Sequence, residues 1–257
     1  MRSLRQLGSE AKFSLLGFRR SPAATFFTLA LPLIFLVIFT SIFGNHTVGP
    51  PGEEVRVATW YVPGILALAL VSATFMNQAI FAVVKRESGV LKAMRATPLP
   101  PWVYVGGSVA SSLVLTAVMT VLVTGIGRLA YGVDIQAGAL PSLLITLALG
   151  AAAFSALGLA VTCVCPSEQA APAITNMCVL PIYFVSDVFI ILDDAPSWMS
   201  LVGDIFPIKH LAHALGHTFD PFTDGVPLPL GNWLVIAAWG AFGTLAAARY
   251  SRWTPRN

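Results

Sequence analysis

The chain has 257 residues, of which 56% are hydrophobic and 11% charged, and its formal net charge is +3. A soluble domain of this size carries about 25% charged residues, so the composition indicates an integral membrane protein. The low charge, with no basic patch interleaved with aromatic residues, argues against a nucleic-acid partner. The three cysteines, Cys163, Cys165 and Cys178, do not suit a disulfide framework, and we interpret them as small packing residues.

The first segment, residues 1–22, is too polar to cross a membrane. Apolar residues recur in it at helical spacing, while Arg5, Lys12 and Arg19 recur every seven residues on another face. This pattern predicts a helix lying in the membrane interface, with its cations near anionic lipid headgroups. A solvated tail is the alternative. The apolar run that follows is too long for the core of a signal peptide, so we interpret it as an uncleaved first span.

Six apolar segments are long enough to cross a bilayer, which takes about 20 mostly apolar residues. They occupy residues 23–43, 60–84, 102–127, 139–164, 169–192 and 230–248. Prolines inside these segments are expected to kink helices or to mark their ends, as at Pro32, Pro63, Pro172 and Pro181. The sequence therefore predicts an all-α polytopic membrane protein, with one transmembrane domain over residues 1–257.

Basic residues are distributed unequally between the two sides of this layout. If the N-terminus is cytosolic, only three of the 15 basic residues lie on the outer side, namely Arg56, Arg128 and Lys209. Most of the acidic residues also lie on the outer side. The cytosolic side holds the other basic residues, which are Arg2, Arg5, Lys12, Arg19, Arg20, Lys85, Arg86, Lys92, Arg95, Arg249, Arg252 and Arg256. This bias fits the positive-inside rule. It predicts cytoplasmic termini and a multi-pass protein of the cell (inner or plasma) membrane.

Two rows of small residues mark the third and fourth spans. A row of alanines on the fourth span predicts close helix packing, and it consists of Ala148, Ala152, Ala156 and Ala160. A row of hydroxyl residues winds around the third span, and it consists of Ser108, Ser112, Thr116, Thr120 and Thr124. Each hydroxyl can bond the carbonyl four residues earlier. The row could serve helix packing or line a translocation path, and Ser112, Thr116 and Thr120 are candidates for the path.

Asp187 is an acid within the fifth predicted span, near its outer end. Burying a charge in hydrocarbon costs several kcal/mol, so such a residue usually faces a cavity or a partner. Asp187 is therefore a second candidate for a substrate path. Alternatively, the helix ends early and leaves Asp187 at the wet interface.

The outer loop, residues 193–229, contains three histidines that would share one helical face. His210, His213 and His217 have a spacing that suits metal ligands. However, the sequence lacks the glutamate base of an H-E-x-x-H motif, and the neighbouring residues are apolar. We therefore expect an amphipathic helix in the outer leaflet and no metal site.

The stretch "VVKRESGVLKAMRATPLPPW", residues 83–102, concentrates charge between two apolar spans. On the predicted topology, residues 85–101 form a cytosolic loop that is too short to be a domain. Gly89 and the pair Thr97 and Pro98 bracket a short helix. Such a helix, joined rigidly to two spans, could pass force from a soluble partner into the membrane.

The motif "KRESGVLKAMRATPLP" resembles the cytosolic loop of ABC type-2 transporter permeases. The stretch from Pro166 to Leu215, beginning "PSEQAAPAITN", is similar to the fifth span and outer segment of that family. The resemblance implies an interfacial N-terminal helix, a coupling helix after the second span, and re-entrant outer helices between the fifth and sixth spans. It also implies that two permeases, identical or homologous, pair with two ATP-hydrolysing subunits to export amphipathic drugs, lipids or glycans.

The resemblance also assigns roles to single residues. It carries the coupling motif onto Arg86, Glu87, Gly89, Leu91, Arg95, Thr97 and Pro98. In a coupling helix over residues 85–98, Leu91 and Met94 would be apolar anchors in a groove of the ATPase, and Lys92 and Arg95 would face acids on its rim. Glu87 would stay near the second span, paired with Arg86 or with the N-terminal helix.

The resemblance further places the turn after the fifth span on Ser186 and Asp187, and an outer helix on residues 207–215. The chain departs from the family at two positions. Asp187 replaces a usual glycine, and Lys92 stands where many members have an acid.

ATP hydrolysis is expected on the partner subunit. A P-loop needs the pattern G-x-x-x-x-G-K-[ST], and none of the 21 glycines is followed by lysine. We therefore expect no cofactor on this chain, with ATP and Mg on the partner. The rival readings are a secondary transporter or channel, and an intramembrane hydrolase or lipid-modifying enzyme.

Overall fold

The computed structural model describes residues 2–43, 46–48, 55–95, 101–133, 135, 137–189, 196–220 and 228–250. This part of the chain is mostly helical. The helices are α1 (Arg2–Arg19), α2 (Pro22–Thr25), α3 (Leu31–Phe43), α4 (Ala58–Val71), α5 (Asn77–Glu87), α6 (Val90–Arg95), α7 (Pro101–Tyr131), α8 (Leu140–Val161), α9 (Ala170–Phe184), α10 (Ser197–Ile205), α11 (Pro207–Phe219) and α12 (Leu230–Tyr250). The strands β1 (Thr47–Val48) and β2 (Val55–Arg56) form a short antiparallel pair.

The N-terminal segment forms a helix, as its periodicity predicts. Helix α1 packs along α7 and buries Phe18. The hydroxyl of Thr25 donates to the carbonyl of Phe18 at 3.1 Å, which closes the turn into the first apolar helix. That helix runs through α2, a π-helical turn at Phe26–Ala30, and α3.

The second apolar helix lies at the centre of the bundle, with other helices packed around it. It runs without interruption from Ala58 to Glu87 through α4, a π-helical turn at Ser72–Met76, and α5, and we call it the central helix. In its apolar 18-residue stretch, 72% of the residues are buried inside the chain, against 11% in α12. It is buried because α3, α7, α8, α9 and α11 all pack against it.

Five helices of the described part are long and apolar enough to cross a membrane, judged by length and composition. They are Phe26–Phe43, Ala58–Glu87, Val105–Tyr131, Leu140–Val161 and Leu230–Arg249. The fifth predicted span, 169–192, is shorter than expected, because α9 has only 15 residues and ends at Phe184. Pro181 lies inside α9 just before that end, and Pro63 lies inside α4.

The predicted alanine row on the fourth span is wrong in part. Ala148 and Ala152 are exposed, because α8 turns another face towards its neighbours. The close contact with α12 is made by two glycines of α12 instead. A Cβ added at Gly240 would lie 2.9 Å from the Cβ of Ala153, and one added at Gly243 would lie 2.8 Å from the backbone nitrogen of Leu157.

Helices α10 and α11 form a hairpin whose turn lies against the middle of α12. The indole nitrogen of Trp239 donates to the carbonyl of Ile205 at 2.9 Å, and the ring of Phe206 stacks on Trp239 with centroids 5.8 Å apart. At 1.5 Å per residue, Trp239 lies about 14 Å from the start of α12. The hairpin therefore reaches the middle of a membrane-length helix.

The apolar face of α11 is covered by protein. Leu211 and Leu215 are fully buried, and α11 packs on α4, α8 and α12. A Cβ added at Gly150 would lie 2.9 Å from Leu211, so this contact is at the middle of α8. This face is therefore covered by protein and not by lipid, and the position of α11 in the outer leaflet stays a prediction.

Candidate functional site

The charged loop after the central helix contains a helix shorter than the predicted 85–98. Residues Lys85 to Glu87 still belong to α5, and the chain turns at Gly89, which has a φ of 74°. Glycine adopts this left-handed conformation without the steric cost of a side chain. The six-residue helix α6 then runs from Val90 to Arg95. Thr97 and Pro98 lie outside the described residues, as do the side chains of Met94 and Arg95.

Arg86, predicted to belong to the coupling motif, is buried with only 2% of its surface exposed. Its Nη1 donates to the carbonyl of Thr162 at 3.0 Å, and its Nη2 donates to the carbonyl of Cys165 at 2.7 Å. Its Nε pairs with the Glu87 carboxylate at 2.7 Å, which confirms the proposed pairing of Glu87. Arg86 therefore contacts the connection between α8 and α9, and it is not available to a soluble partner.

The described surface of this loop differs from the predicted one at Leu91, while Lys92 is exposed as predicted. Leu91, predicted to anchor in a groove of the ATPase, is 7% exposed and packs within the chain. Val90 is 43% exposed, and Lys92 and Ala93 are exposed beside it. Lys85 is turned towards α1, where it pairs with Glu10 at 2.9 Å. Among the described side chains of α6, the exposed ones are Val90, Lys92 and Ala93.

The hydroxyl row of α7 faces the inside of the chain in its first half. The amide of Gln78 donates to the hydroxyl of Ser112 at 3.1 Å and accepts from the hydroxyl of Ser108. Thr116 is buried, and Thr120 donates to its carbonyl at 2.8 Å, as expected for this spacing. The contact with Gln78 favours the packing interpretation for Ser112. Burial favours it for Thr116, whose hydroxyl has no hydrogen-bond partner among the described residues.

Sequence reasoning missed the two amides of the central helix. Asn77 and Gln78 are both buried, and the amide of Asn77 donates to the hydroxyl of Thr28 at 2.9 Å. A pair of amides inside an apolar run was the available signal, because amides at membrane depth need partners. They connect the central helix to the first and third spans.

Asp187 fits neither predicted alternative completely. The helix does end early, and Asp187 has a φ of 56°, the conformation that a glycine at this position would adopt easily. However, it does not lie at the end of the bundle. A Cβ added at Gly64 would lie 2.9 Å from the carbonyl of Val188, and Gly64 is about 9 Å along the central helix from Ala58.

At this depth Asp187 has a partner on the α10–α11 hairpin. Its Oδ2 lies 2.8 Å from Nε2 of His213, with 23% of the Asp187 side chain and 46% of the His213 side chain exposed. The pair therefore joins the turn after α9 to α11. It is also accessible on the surface of the single chain.

The three histidines of α11 do not gather around one point. His210 contacts the side-chain oxygen of Asn232 and the carbonyl of Asp204, both at 2.9 Å, while His213 contacts Asp187. Within the described ranges, no group of three or more His, Cys, Asp or Glu side chains is close enough to hold a metal ion. Lys209 is buried on the same helix and pairs with Asp204 at 2.7 Å.

Comparison with known proteins links this arrangement to membrane transport. Residues 5–219 match the family described as ABC-2 type transporter. The chain is 28% identical over 213 residues to the daunorubicin resistance ABC transporter permease protein DrrB1 of Streptomyces coeruleorubidus, over 78% of this chain and 70% of that protein. It is 24% identical over 215 residues to the probable multidrug ABC transporter permease YbhR of Escherichia coli, over 79% of this chain and 58% of that protein.

Proposed function

Because the chain belongs to the ABC-2 type transporter family, we propose that it is the membrane permease subunit of an ATP-driven exporter. The five long apolar helices of the described part agree with a transporter subunit that crosses the membrane several times. The proposed substrate is an amphipathic or hydrophobic molecule, and a drug is favoured by the names of the two relatives. ATP and Mg would be bound by a separate ATPase subunit, and a second identical or homologous permease would complete the complex.

The proposed topology has six crossings with both termini in the cytosol of the cell membrane. The fifth crossing begins with α9, which at 15 residues is too short to span the bilayer alone. Helix α1 lies in the cytosolic interface, and α10 and α11 form a re-entrant hairpin from the outer side. The unequal distribution of basic residues supports this orientation.

The observation that carries the proposal is the position of α6. This helix follows the central helix after one turn, and the central helix is the most buried of the membrane-length helices. Helix α6 is therefore the proposed coupling helix. Its exposed face, Val90, Lys92 and Ala93, would dock on the ATPase, with Val90 as the apolar anchor and Lys92 near acids of the groove rim.

The test is to replace Lys92 by glutamate in a permease expressed together with its ATPase. Lys92→Glu adds repulsion at the docking surface, so the amount of ATPase that co-purifies and the substrate efflux should both fall about tenfold, as expected for a loss of about 1.4 kcal/mol. Arg249→Glu is the matched control, because it makes the same charge change on an exposed residue at the end of α12. It should leave both quantities near the wild-type values.

Two outcomes would count against the proposal. Full ATPase binding and full efflux in Lys92→Glu would show that α6 is not the docking element. Substrate efflux by the permease with no ATPase present would favour a secondary transporter or channel instead.

A further inference from the structure

The buried arginine at the end of the central helix joins two parts of the molecule that are far apart in sequence. Arg86 lies in α5, and its two carbonyl partners, Thr162 and Cys165, lie in the connection between α8 and α9. Thr162 follows directly after α8, where the last carbonyls of a helix lack partners in the helix. A cation placed at a helix C-terminus satisfies those carbonyls and interacts favourably with the helix dipole.

The geometry of the guanidinium makes this contact specific. Arginine presents its N–H groups in a rigid planar fork, so that two bonds to two carbonyls fix both the position and the direction of the connection. A lysine at the same position could not reproduce the fork. Glu87 balances the charge at Nε, which a buried cation requires.

Apolar contacts reinforce the same junction. Val83, Cys165 and Ala171 form a small buried cluster, against which Ile80 and Ile174 pack. This cluster is separate from the large core and joins α5, the connection and α9. The junction therefore holds α5, the end of α8 and the start of α9 as one unit.

We propose that Arg86 is a positioning residue that transmits movement of α6 to α8 and α9. This inference depends on the proposed function, since α6 moves only if an ATPase acts on it. When the ATPase displaces α6, the end of the central helix moves with it, and Arg86 carries the α8–α9 connection along. Two further spans therefore respond to the displacement of α6 without contacting the ATPase themselves.

The first test separates transport from ATP hydrolysis in the purified complex in lipid vesicles. Arg86→Lys keeps the charge and loses the fork, so ATPase binding and ATP hydrolysis should stay near normal. The amount of substrate exported per ATP hydrolysed should fall several-fold, because a lysine does not hold the two carbonyls in a fixed geometry. Lys85→Gln is the control, because it breaks a partly exposed pair with α1 on the neighbouring residue and should leave this ratio unchanged.

An unchanged ratio in Arg86→Lys, in a complex whose wild type exports substrate, would overturn this inference and leave the proposed function intact. Loss of ATPase binding in proportion to transport would also overturn it, since Arg86 would then act on docking. A wild-type complex that does not export would instead contradict the proposed function.

A second measurement does not depend on the stability of an Arg86 variant. Spin labels are attached to cysteines at the exposed positions Ser88, at the end of α5, and Glu168, in a chain whose Cys163 and Cys178 are replaced by alanine. Cys165 is kept, because it is buried in the junction. The distance between the two labels should be the same in the nucleotide-free and ATP-bound complexes, because both positions belong to one unit. The distance from Ser88 to a label at Arg249 should change. A change in the first distance as large as that in the second would contradict the inference.

Discussion

At the scale of single residues, Asp187 combines two features that are usually separate. Its backbone is in the left-handed region, which costs about 1–2 kcal/mol for most L-residues and less for aspartate and asparagine. Its carboxylate meets His213 from another helix. The same residue thus sets the turn after α9 and attaches the turn to the α10–α11 hairpin.

Three substitutions at this position separate the turn from the pair. Asp187→Gly adopts the turn without strain but loses the contact with His213, so the folded permease should accumulate while transport falls. Asp187→Leu loses the contact and also strains the backbone, so its free energy of unfolding should be about 1–2 kcal/mol below that of the glycine variant. Asp187→Asn tolerates the turn and can still bond His213, so its transport should exceed that of the glycine variant.

The measurements are thermal unfolding of the purified permease and efflux from cells with matched expression. Equal unfolding temperatures for the glycine and leucine variants would contradict the strain argument. Normal efflux in the glycine variant would show that the pair with His213 has no part in transport.

Sequence reasoning identified Asp187 as unusual and left its position open, and the reason is physical. The cost of an acid at membrane depth indicates that a partner or a wet surface exists, but it does not say which helix supplies the partner. His213 is far away in sequence, and it was noticed only for a spacing that suggests metal binding. Arg86 and Leu91 show the same limit, because a motif can mark residues as important without showing whether they face outwards or inwards.

At the scale of elements, the sequence predicted where the apolar helices lie along the chain. It predicted less well which face of each helix is buried. Long apolar runs have no stable alternative to a helix in a bilayer, which is why five of the six predicted spans appear as membrane-length helices. The prediction that the alanine row of α8 packs closely was wrong in part. Small residues permit close packing on any face of a helix, and the neighbouring helices determine which face is buried.

The tightest packing of α8 on the central helix occurs at Gly158. A Cβ added there would lie 2.5 Å from the carbonyl of Phe75, in the π-helical turn of the central helix. Backbone cannot yield as a flexible side chain does, so Gly158→Ala should push α8 away and lower the free energy of unfolding by about 1–3 kcal/mol.

The matched control is Gly125→Ala on α7. Nothing lies within 4 Å of a Cβ added at Gly125, so this change should be neutral or slightly stabilising. Thermal unfolding of the two purified variants distinguishes them. If Gly158→Ala unfolds at the same temperature as Gly125→Ala, then α8 is not in tight contact with the turn at Phe75.

At the scale of the whole molecule, the distribution of charge predicts the orientation in the membrane. A cysteine introduced at Leu228, which is exposed, should react with an impermeant maleimide on intact cells. A cysteine at Lys92 should react only after the membrane is permeabilised. Both variants are made in a chain whose native cysteines are replaced by alanine, so that the introduced thiol is the labelled one.

The opposite pattern, with labelling at position 92 and none at position 228, would reverse the proposed topology. This prediction was possible from the sequence because orientation depends on the sum of many charges. The depth of the α10–α11 hairpin was not predictable in the same way. It results from particular contacts such as Trp239 with Ile205, which composition does not reveal.

The burial of the central helix has a consequence for biosynthesis. When this helix leaves the ribosome, Thr28, the partner of Asn77, has already been made, but Ser108 and Ser112 have not. Chain synthesis proceeds at about 5–20 residues per second, so Ser108 and Ser112 of α7 are made several seconds after Gln78. During that time the amide of Gln78 sits in lipid without these hydroxyls, at a cost of about 1–3 kcal/mol. We therefore expect a nascent chain arrested before α7 to be degraded faster in the membrane than one arrested after α7, in which Gln78 has its hydroxyl partners.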